Sequence, residues 1–193
     1  MKIVIINYGA GNIQSIKFAI ERLGFQAVLS DNVEEIKAAD KVIFPGVGEA
    51  SSAMKKLRES GLDTLVLQLK QPVLGICLGM QLMCKSTQEG QTKGLGIFDV
   101  DVIRFQNTVK VPQIGWNQIK TLKSGLFKGI EENSFIYLVH SFYAPICEET
   151  ICETDYGLNY SSGLQKDNFY GLQFHPEKSS EVGAQILKNF LEL

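Results

Sequence analysis

The chain has 193 residues, of which 45% are hydrophobic and 21% charged, and this composition excludes an intrinsically disordered chain. Its length fits one domain that spans residues 1–193. The 19 lysine and arginine residues nearly balance the 21 acidic residues, for a net charge of −2, so we expect neither a nucleic acid nor a membrane surface as a partner.

The first half of the chain alternates patterns typical of strands and helices. Short apolar runs predict strands at residues 3–6, 26–29, 41–44 and 72–76. Amphipathic stretches between them predict helices, the first of which would be capped by Asn12 and closed by Gly24. This order predicts an α/β fold, a three-layer sandwich with a mostly parallel central sheet.

The second half is richer in strand patterns. Apolar runs at 98–103, 135–139 and 170–174 are separated by turn residues, and we expect them to add antiparallel strands to the parallel sheet. A final amphipathic helix is predicted to begin near Ser180.

Cysteine and histidine are few. The four cysteines have no Cys-x-x-Cys spacing and there are only two histidines, so we expect free thiols and no metal site. The glycines at positions 9 and 11 lack the third glycine of a dinucleotide-binding loop, and no cofactor is expected. With no secretory or membrane-spanning pattern, the expected location is the cytoplasm.

The strongest local motif is Gly75-Ile76-Cys77-Leu78-Gly79, which follows a predicted strand and precedes a helical stretch. It matches a nucleophile elbow with cysteine as the nucleophile. Glycines would relieve crowding where the strand turns into the helix, and the helix N-terminus would favour the thiolate. Taken alone, the motif is equally compatible with a buried, unreactive cysteine.

A thiolate nucleophile needs a base, and the chain offers His140 and His175. His175 precedes Pro176, which favours an extended backbone, and an extended backbone places Glu177 on the same side as His175. His140 ends an apolar strand and has no acidic residue two positions later. The pattern therefore favours Cys77, His175 and Glu177 as nucleophile, base and orienting carboxylate.

An acyl transfer also needs donors for the oxyanion. The backbone N–H of Leu78 is one candidate, and the segment Pro45-Gly46-Val47-Gly48 after the third predicted strand is another. Loops at the carboxyl ends of parallel strands meet at one sheet edge, so the two should lie together.

These segments together resemble the class I, triad-type glutamine amidotransferases. The resemblance rests on Pro45-Gly46-Val47-Gly48, on residues 75–81 and on His175-Pro176-Glu177. Residues 7–12, 112–117 and 140–142 extend it to one group in that family, the glutaminase subunits that serve imidazole glycerol phosphate synthesis. Gln113 and Phe142 depart from the histidine and tyrosine that are common there.

The resemblance implies that Cys77 attacks the side-chain amide of L-glutamine, that His175 moves protons and that Glu177 orients His175. It further implies roles for other residues. The implied oxyanion donors are Val47, Gly48 and Leu78, the implied glutamine-binding residues are Gln81, Ser141 and Phe142, and the implied partner contacts are Asn12, Trp116 and Lys178.

The implied partner is a (β/α)₈-barrel cyclase subunit. It would receive the ammonia and make imidazole glycerol phosphate and an aminoimidazole carboxamide ribotide in histidine biosynthesis. Three alternatives remain open: a related glutaminase that serves sugar amidation for surface polysaccharides, a non-catalytic interaction subunit, and a cysteine hydrolase that needs no partner.

Overall fold

The structure, a computed structural model, describes residues 1–9 and 13–193. Its strands are β1 (Ile3–Ile6), β2 (Ala27–Ser30), β3 (Lys41–Phe44), β4 (Val73–Ile76), β5 (Cys84–Thr87), β6 (Thr92–Lys93), β7 (Phe98–Arg104), β8 (Gln113–Gln118), β9 (Phe135–His140), β10 (Phe142–Tyr143), β11 (Thr150–Asp155), β12 (Asn159–Lys166) and β13 (Phe169–Leu172). Its α-helices are α1 (Ile13–Arg22), α2 (Val33–Lys37), α3 (Ala50–Glu59), α4 (Leu62–Gln68), α5 (Leu78–Met83) and α6 (Ser180–Leu191).

The largest sheet has seven strands in the order β11-β12-β13-β4-β3-β1-β2. The five strands from β13 to β2 are parallel to one another, whereas β11 and β12 are antiparallel to their neighbours. The prediction of a mostly parallel central sheet with antiparallel additions is therefore confirmed.

Alternate side chains of β1 pack into two different apolar clusters, one on each face of the sheet. Val4 and Ile6 belong to the cluster that contains the buried side chains of α2, α3 and α4. Ile3 and Ile5 belong to the cluster that contains those of α1 and α6. A strand covered on both faces needs a continuous apolar run, which explains the pattern of β1 and gives the three predicted layers.

The second half of the chain departs from the expectation in one respect. Strand β7 lies in a separate four-stranded sheet, and β9 pairs with β8 in a two-stranded ribbon. Of the three runs predicted there, only the last, which forms β13, joins the central sheet, and it runs parallel to β4. Strand β9 alternates buried and more exposed residues. A strand with one solvent-exposed face does not fit the centre of a sheet that is covered on both sides.

The first and the last helix can be compared with the limits predicted for them. Gly24, at a φ of +87°, follows α1 as expected, whereas the predicted cap at Asn12 lies outside the described residues. Helix α6 begins at Ser180 and buries Ile186, Leu187 and Phe190 completely. Among the helices of residues 1–9 and 13–193, none is long and apolar enough to cross a membrane.

Candidate active site

A cavity of about 350 Å³ opens where β3, β4 and β13 end. The carboxyl edge of a parallel sheet is the usual position of a ligand site in this type of fold. The residues that line the cavity are Val47, Gly48, Cys77, Leu78, Gln81, Glu89, Pro112, Val139, His140, Ser141, Phe142, His175 and Lys178.

Cys77 occupies the sharp turn between β4 and α5, with φ 54° and ψ −110°. A positive φ is a strained conformation for a residue with a side chain, and such strain is typical of functional positions. A Cβ atom on Gly79 would overlap the carbonyl oxygen of Phe44, and one on Gly75 would lie 2.8 Å from the sulfur of Met83. The two glycines are therefore required because the turn packs against its neighbours without space for a methyl group.

The sulfur of Cys77 is largely enclosed, since the residue is only 7% exposed. Its thiol faces the carbonyl oxygen of Val139 at 3.8 Å, and Nε2 of Gln173 donates to Sγ at 3.8 Å.

His175 and Glu177 form a buried pair beside this thiol. The backbone of His175 is extended, with φ −96° and ψ 95°, as its position before Pro176 predicts. Its Nδ1–H donates to Oε1 of Glu177 at 2.9 Å. Burial lowers the pKa of His175, but hydrogen bonds with Cys77 and Glu177 and the charges of both outweigh burial and raise that pKa to about 10. The structure thus favours a protonated imidazole at His175, held between the sulfur of Cys77 and the carboxyl group of Glu177.

His140 also borders the cavity, in a different environment. Its Nδ1 lies 2.7 Å from the carbonyl oxygen of Phe142, and its Nε2 faces the side chains of Gln113 and Tyr160. Burial lowers the pKa of His140 to about 4, so the ring is neutral at physiological pH. A neutral ring held by uncharged groups is poorly suited to be the base for Cys77.

The predicted oxyanion donors lie together, but one is occupied. The backbone N–H of Leu78 donates to the carbonyl oxygen of Gly46 at 3.3 Å. That oxygen and the N–H of Val47 belong to one planar peptide group and point in opposite directions. Rotation of this peptide would free the N–H of Leu78 and turn the N–H of Val47 toward the cavity. The hydroxyl of Tyr8 holds the preceding carbonyl, that of Pro45, at 2.8 Å.

Gln81, predicted to bind substrate, has a defined orientation. Its Nε2 donates to the carbonyl oxygen of Phe142 at 3.0 Å and to Oε1 of Gln173 at 2.9 Å. Both amide hydrogens are thereby used, which leaves Oε1 of Gln81 as the atom able to accept from a ligand. Ser141 and Phe142 line the same cavity.

Glu89 is a lining residue that the sequence did not reveal. Its Oε2 accepts from the backbone N–H of Ala50, at the start of α3, at 2.9 Å. Burial raises the pKa of Glu89. It belongs to no recognisable motif, and only the fold brings this carboxylate to the cavity.

The three residues expected to contact a partner do not lie together in the described structure. Lys178 lines the cavity. Trp116 projects from β8 and is 53% exposed, with its ring against Tyr137. Asn12 lies outside the described residues.

Comparison with known proteins identifies relatives that span the whole chain. The sequence model of the family "Glutamine amidotransferase class-I" matches residues 4–193. The imidazole glycerol phosphate synthase subunit HisH of Bacteroides fragilis (strain YCH46) is 57% identical over 196 residues, with 100% of both chains covered. The HisH subunit of Bacteroides thetaiotaomicron is 53% identical, again with 100% of both chains covered, and HisH 1 of Vibrio vulnificus (strain YJ016) is 47% identical, covering 100% of this chain and 98% of that protein.

Solved structures agree on the fold. A putative GMP synthase protein from Thermoplasma acidophilum superimposes with a TM-score of 0.77 at 18% identity, covering 100% of this chain and 92% of that one. PurLQS from Thermotoga maritima gives a TM-score of 0.74 at 17% identity, covering 99% and 97%. At such identities the likeness concerns the fold alone.

The chain therefore belongs to the class-I glutamine amidotransferase family, an enzyme class that fits a cysteine at a strand–helix elbow. Within that family it belongs with the HisH subunits of imidazole glycerol phosphate synthase, its relatives at 45–57% identity over their full length.

Proposed function

We propose that this chain is the glutamine-hydrolysing subunit of an imidazole glycerol phosphate synthase and acts in histidine biosynthesis. The observation that carries the proposal is the placement of Cys77 against the His175–Glu177 pair in a cavity at the sheet edge. Sugar amidation is not favoured, because the relatives at 57%, 53% and 47% identity are all HisH subunits.

The chemistry follows from the arrangement of the proposed triad. The thiolate of Cys77 attacks the side-chain amide carbon of glutamine, and the carbonyl oxygen becomes an oxyanion. His175 gives its proton to the departing nitrogen, ammonia leaves and a γ-glutamyl thioester remains. A water molecule then attacks the thioester, His175 takes the proton from it, and glutamate and the thiolate are released. Glu177 keeps the imidazole in orientation and stabilises its charge throughout.

The oxyanion step requires a movement of the main chain. While the N–H of Leu78 donates to Gly46, it cannot donate to the oxyanion. Turning the Gly46–Val47 peptide supplies two donors, the N–H groups of Leu78 and Val47. Gly48, the third predicted donor, is the next residue in the same loop.

The amino-acid end of glutamine would lie against Gln81, Ser141 and Phe142. Its α-ammonium group needs hydrogen-bond acceptors, which Oε1 of Gln81 and the carboxylate of Glu89 supply. Ser141 and Phe142 form the wall that contacts the rest of the amino-acid group.

The partner would be a (β/α)₈-barrel cyclase subunit that forms a heterodimer with this chain in the cytoplasm. That subunit would catalyse the lyase reaction. The outer face of the β8–β9 ribbon supports this proposal, because Ile114, Trp116 and Phe135 are exposed there. Val139 of the same ribbon lines the cavity, as does Lys178, so ammonia formed at Cys77 would have a short path to a partner docked there. Asn12 stays a predicted contact.

The direct test is ammonia release from L-glutamine by the complex of this chain with its cyclase subunit. Cys77→Ala should lower turnover at least about 1,000-fold, because the nucleophile is lost. Cys147→Ala is the matched control, since Cys147 is a free thiol outside the cavity lining. If Cys77→Ala retains turnover, the mechanism is wrong.

The docking surface has its own test. Trp116→Ala should weaken binding of the cyclase subunit about 10- to 100-fold, as the loss of an exposed aromatic anchor does. Leu67→Ala, which removes an exposed apolar side chain from α4, is the control. Equal affinities of the two variants, measured by calorimetry, would exclude the ribbon as the docking face.

A further inference from the structure

We propose that His140 is a positioning residue for glutamine binding: it holds the Phe142 carbonyl that orients Gln81, and Tyr160 in turn holds His140. This inference rests on the proposed function and adds residues that have no direct contact with the reacting atoms. It explains why a chain with only two histidines buries the second one beside the same cavity.

The outer end of this arrangement is a buried cluster of three polar side chains. Gln113 and His140 lie opposite each other in the β8–β9 ribbon, and Tyr160 of β12 meets both. The Tyr160 hydroxyl is 3.2 Å from Nε2 of His140 and donates to Oε1 of Gln113 at 2.9 Å. All three residues are buried, and a buried polar group is costly unless it is paired.

The hydrogen positions follow from the neutral state of the ring. Burial lowers the pKa of His140, the hydrogen bond to Phe142 opposes this, and the charge of nearby His175 lowers the pKa further, to about 4. A neutral imidazole carries one N–H, and a carbonyl oxygen can only accept, so the hydrogen lies on Nδ1. Nε2 must then accept. As placed, the Tyr160 hydroxyl donates to Oε1 of Gln113, which also faces Nε2. Turning the Gln113 amide by about 180° lets its NH₂ group donate to the Tyr160 oxygen and leaves the hydroxyl hydrogen of Tyr160 for Nε2 of His140.

The inner end of the arrangement reaches the nucleophile. The carbonyl oxygen of Phe142 accepts from His140 at 2.7 Å and from Nε2 of Gln81 at 3.0 Å. The same Nε2 donates to Oε1 of Gln173 at 2.9 Å, and Nε2 of Gln173 donates to the sulfur of Cys77 at 3.8 Å. Each donor in this chain has a defined acceptor. Fixing the Phe142 carbonyl therefore fixes the free Oε1 of Gln81.

A positioning role differs measurably from a general structural role. If His140 only stabilised the fold, its replacement would reduce the amount of active enzyme and leave the KM for glutamine unchanged. If it orients Gln81, the substrate binds less well while the triad still works. KM then rises and kcat changes little.

The experiment is steady-state hydrolysis of glutamine by the complex with the cyclase subunit. His140→Leu should raise the KM for glutamine about tenfold and change kcat by less than about threefold, as expected for one lost buried hydrogen bond and the freedom it returns to the carbonyl. His140→Asn should restore most of the binding, because its amide can still donate toward Phe142. Tyr160→Phe, which keeps the ring and removes only the hydroxyl, should raise KM about two- to fivefold.

The matched control is Tyr156→Phe. The Tyr156 hydroxyl donates to the carbonyl oxygen of Lys110 at 2.9 Å, and its ring packs on Phe105, which also contacts Tyr160. Tyr156→Phe thus removes a similar hydroxyl from the same aromatic cluster, but one that takes no part in the hydrogen bonds from Tyr160 to Gln81. The KM of this variant should match that of the unmodified protein.

The outcomes separate the two proposals. If the unmodified complex does not hydrolyse glutamine, the proposed function fails. If it does, and His140→Leu and Tyr160→Phe have the KM of Tyr156→Phe or change only kcat, the positioning role is wrong. A ¹⁵N side-chain spectrum gives an independent readout. It should show His140 protonated on Nδ1 alone, and protonation on Nε2 instead would overturn the assignment.

Discussion

The two histidines of this chain show how strongly the partners of a buried ring decide its charge. His175 and His140 are 4% and 6% exposed and line the same cavity. The pKa of His175 is raised to about 10, whereas that of His140 is lowered to about 4. Burial lowers both, so the difference comes from the partners: a thiol and a carboxylate for His175, and a carbonyl, a hydroxyl and an amide for His140.

The two rings also lie on different parts of the fold. His175 follows β13 in the parallel sheet, next to β4, the strand that Cys77 follows. His140 ends a strand of the two-stranded ribbon. In the proposed mechanism, proton transfer takes place on the sheet side of the cavity and the substrate is positioned from the ribbon side.

The largest expected effect concerns His175, the protonated one of the two histidines, through its partner Glu177. Glu177→Gln should lower kcat about 100- to 10,000-fold, because an amide neither stabilises the imidazolium nor fixes its tautomer. It should also lower the pKa of His175, since the carboxylate is one cause of the raised value. Steady-state kinetics of the complex with its cyclase subunit measure the first effect. Glu181→Gln, which alters an exposed carboxylate of α6, is the control, and equal kcat values in the two variants would remove Glu177 from the triad.

The next effect concerns the sheet on which the triad is built. Gly79→Ala should reduce the free energy of unfolding by about 3 kcal/mol, because the added Cβ overlaps the Phe44 carbonyl and the backbone must shift. Gly125→Ala is the matched control, since none of the described atoms lies within 4 Å of the Cβ it would add. Urea unfolding of both variants checks this. A difference below about 1 kcal/mol would show that the elbow is less tightly packed than the structure indicates.

The mildest test changes only the pH. NMR titration should find His175 protonated up to about pH 10 and His140 neutral down to about pH 4. The raised pKa of His175 stabilises the folded state fully below pH 6.5, and this contribution is lost as the pH rises to about 10. The lowered pKa of His140 acts in the opposite direction. Below pH 6.5 the unfolded chain binds a proton that the folded chain binds only near pH 4, so this residue destabilises the folded state as the pH falls. Two transitions near 6.5 would contradict the comparison.

Much of the fold, and the residues proposed for the triad, could be predicted from the sequence for identifiable reasons. The strands β1 and β3 lie where apolar runs predicted them, because a strand covered on both faces must be apolar throughout. The residues of the proposed triad could be singled out because the elbow motif and the His-Pro-Glu spacing are local. Strand β8 was not predicted, since Gly115 interrupts its apolar residues Ile114 and Trp116 and its conformation depends on pairing with β9.

The remaining parts of the site depend on contacts between distant residues. Gln173 bonds to Gln81 and Cys77, which are 92 and 96 positions away, and no spacing rule connects them. Glu89 reaches the cavity only through the arrangement of short elements after α5. The hydrogen bond from Leu78 to Gly46 depends on the orientation of one peptide, which residue types do not determine.

The most direct test of the central claim is covalent trapping of Cys77. The complex with the cyclase subunit would be incubated with a glutamine analogue that carries a diazo ketone in place of the side-chain amide, and the adduct located by mass spectrometry. We predict one adduct, on Cys77, that excess glutamine prevents, with Cys84, Cys147 and Cys152 unmodified. An unmodified Cys77 in a complex that still hydrolyses glutamine would contradict the assignment of Cys77 as the nucleophile.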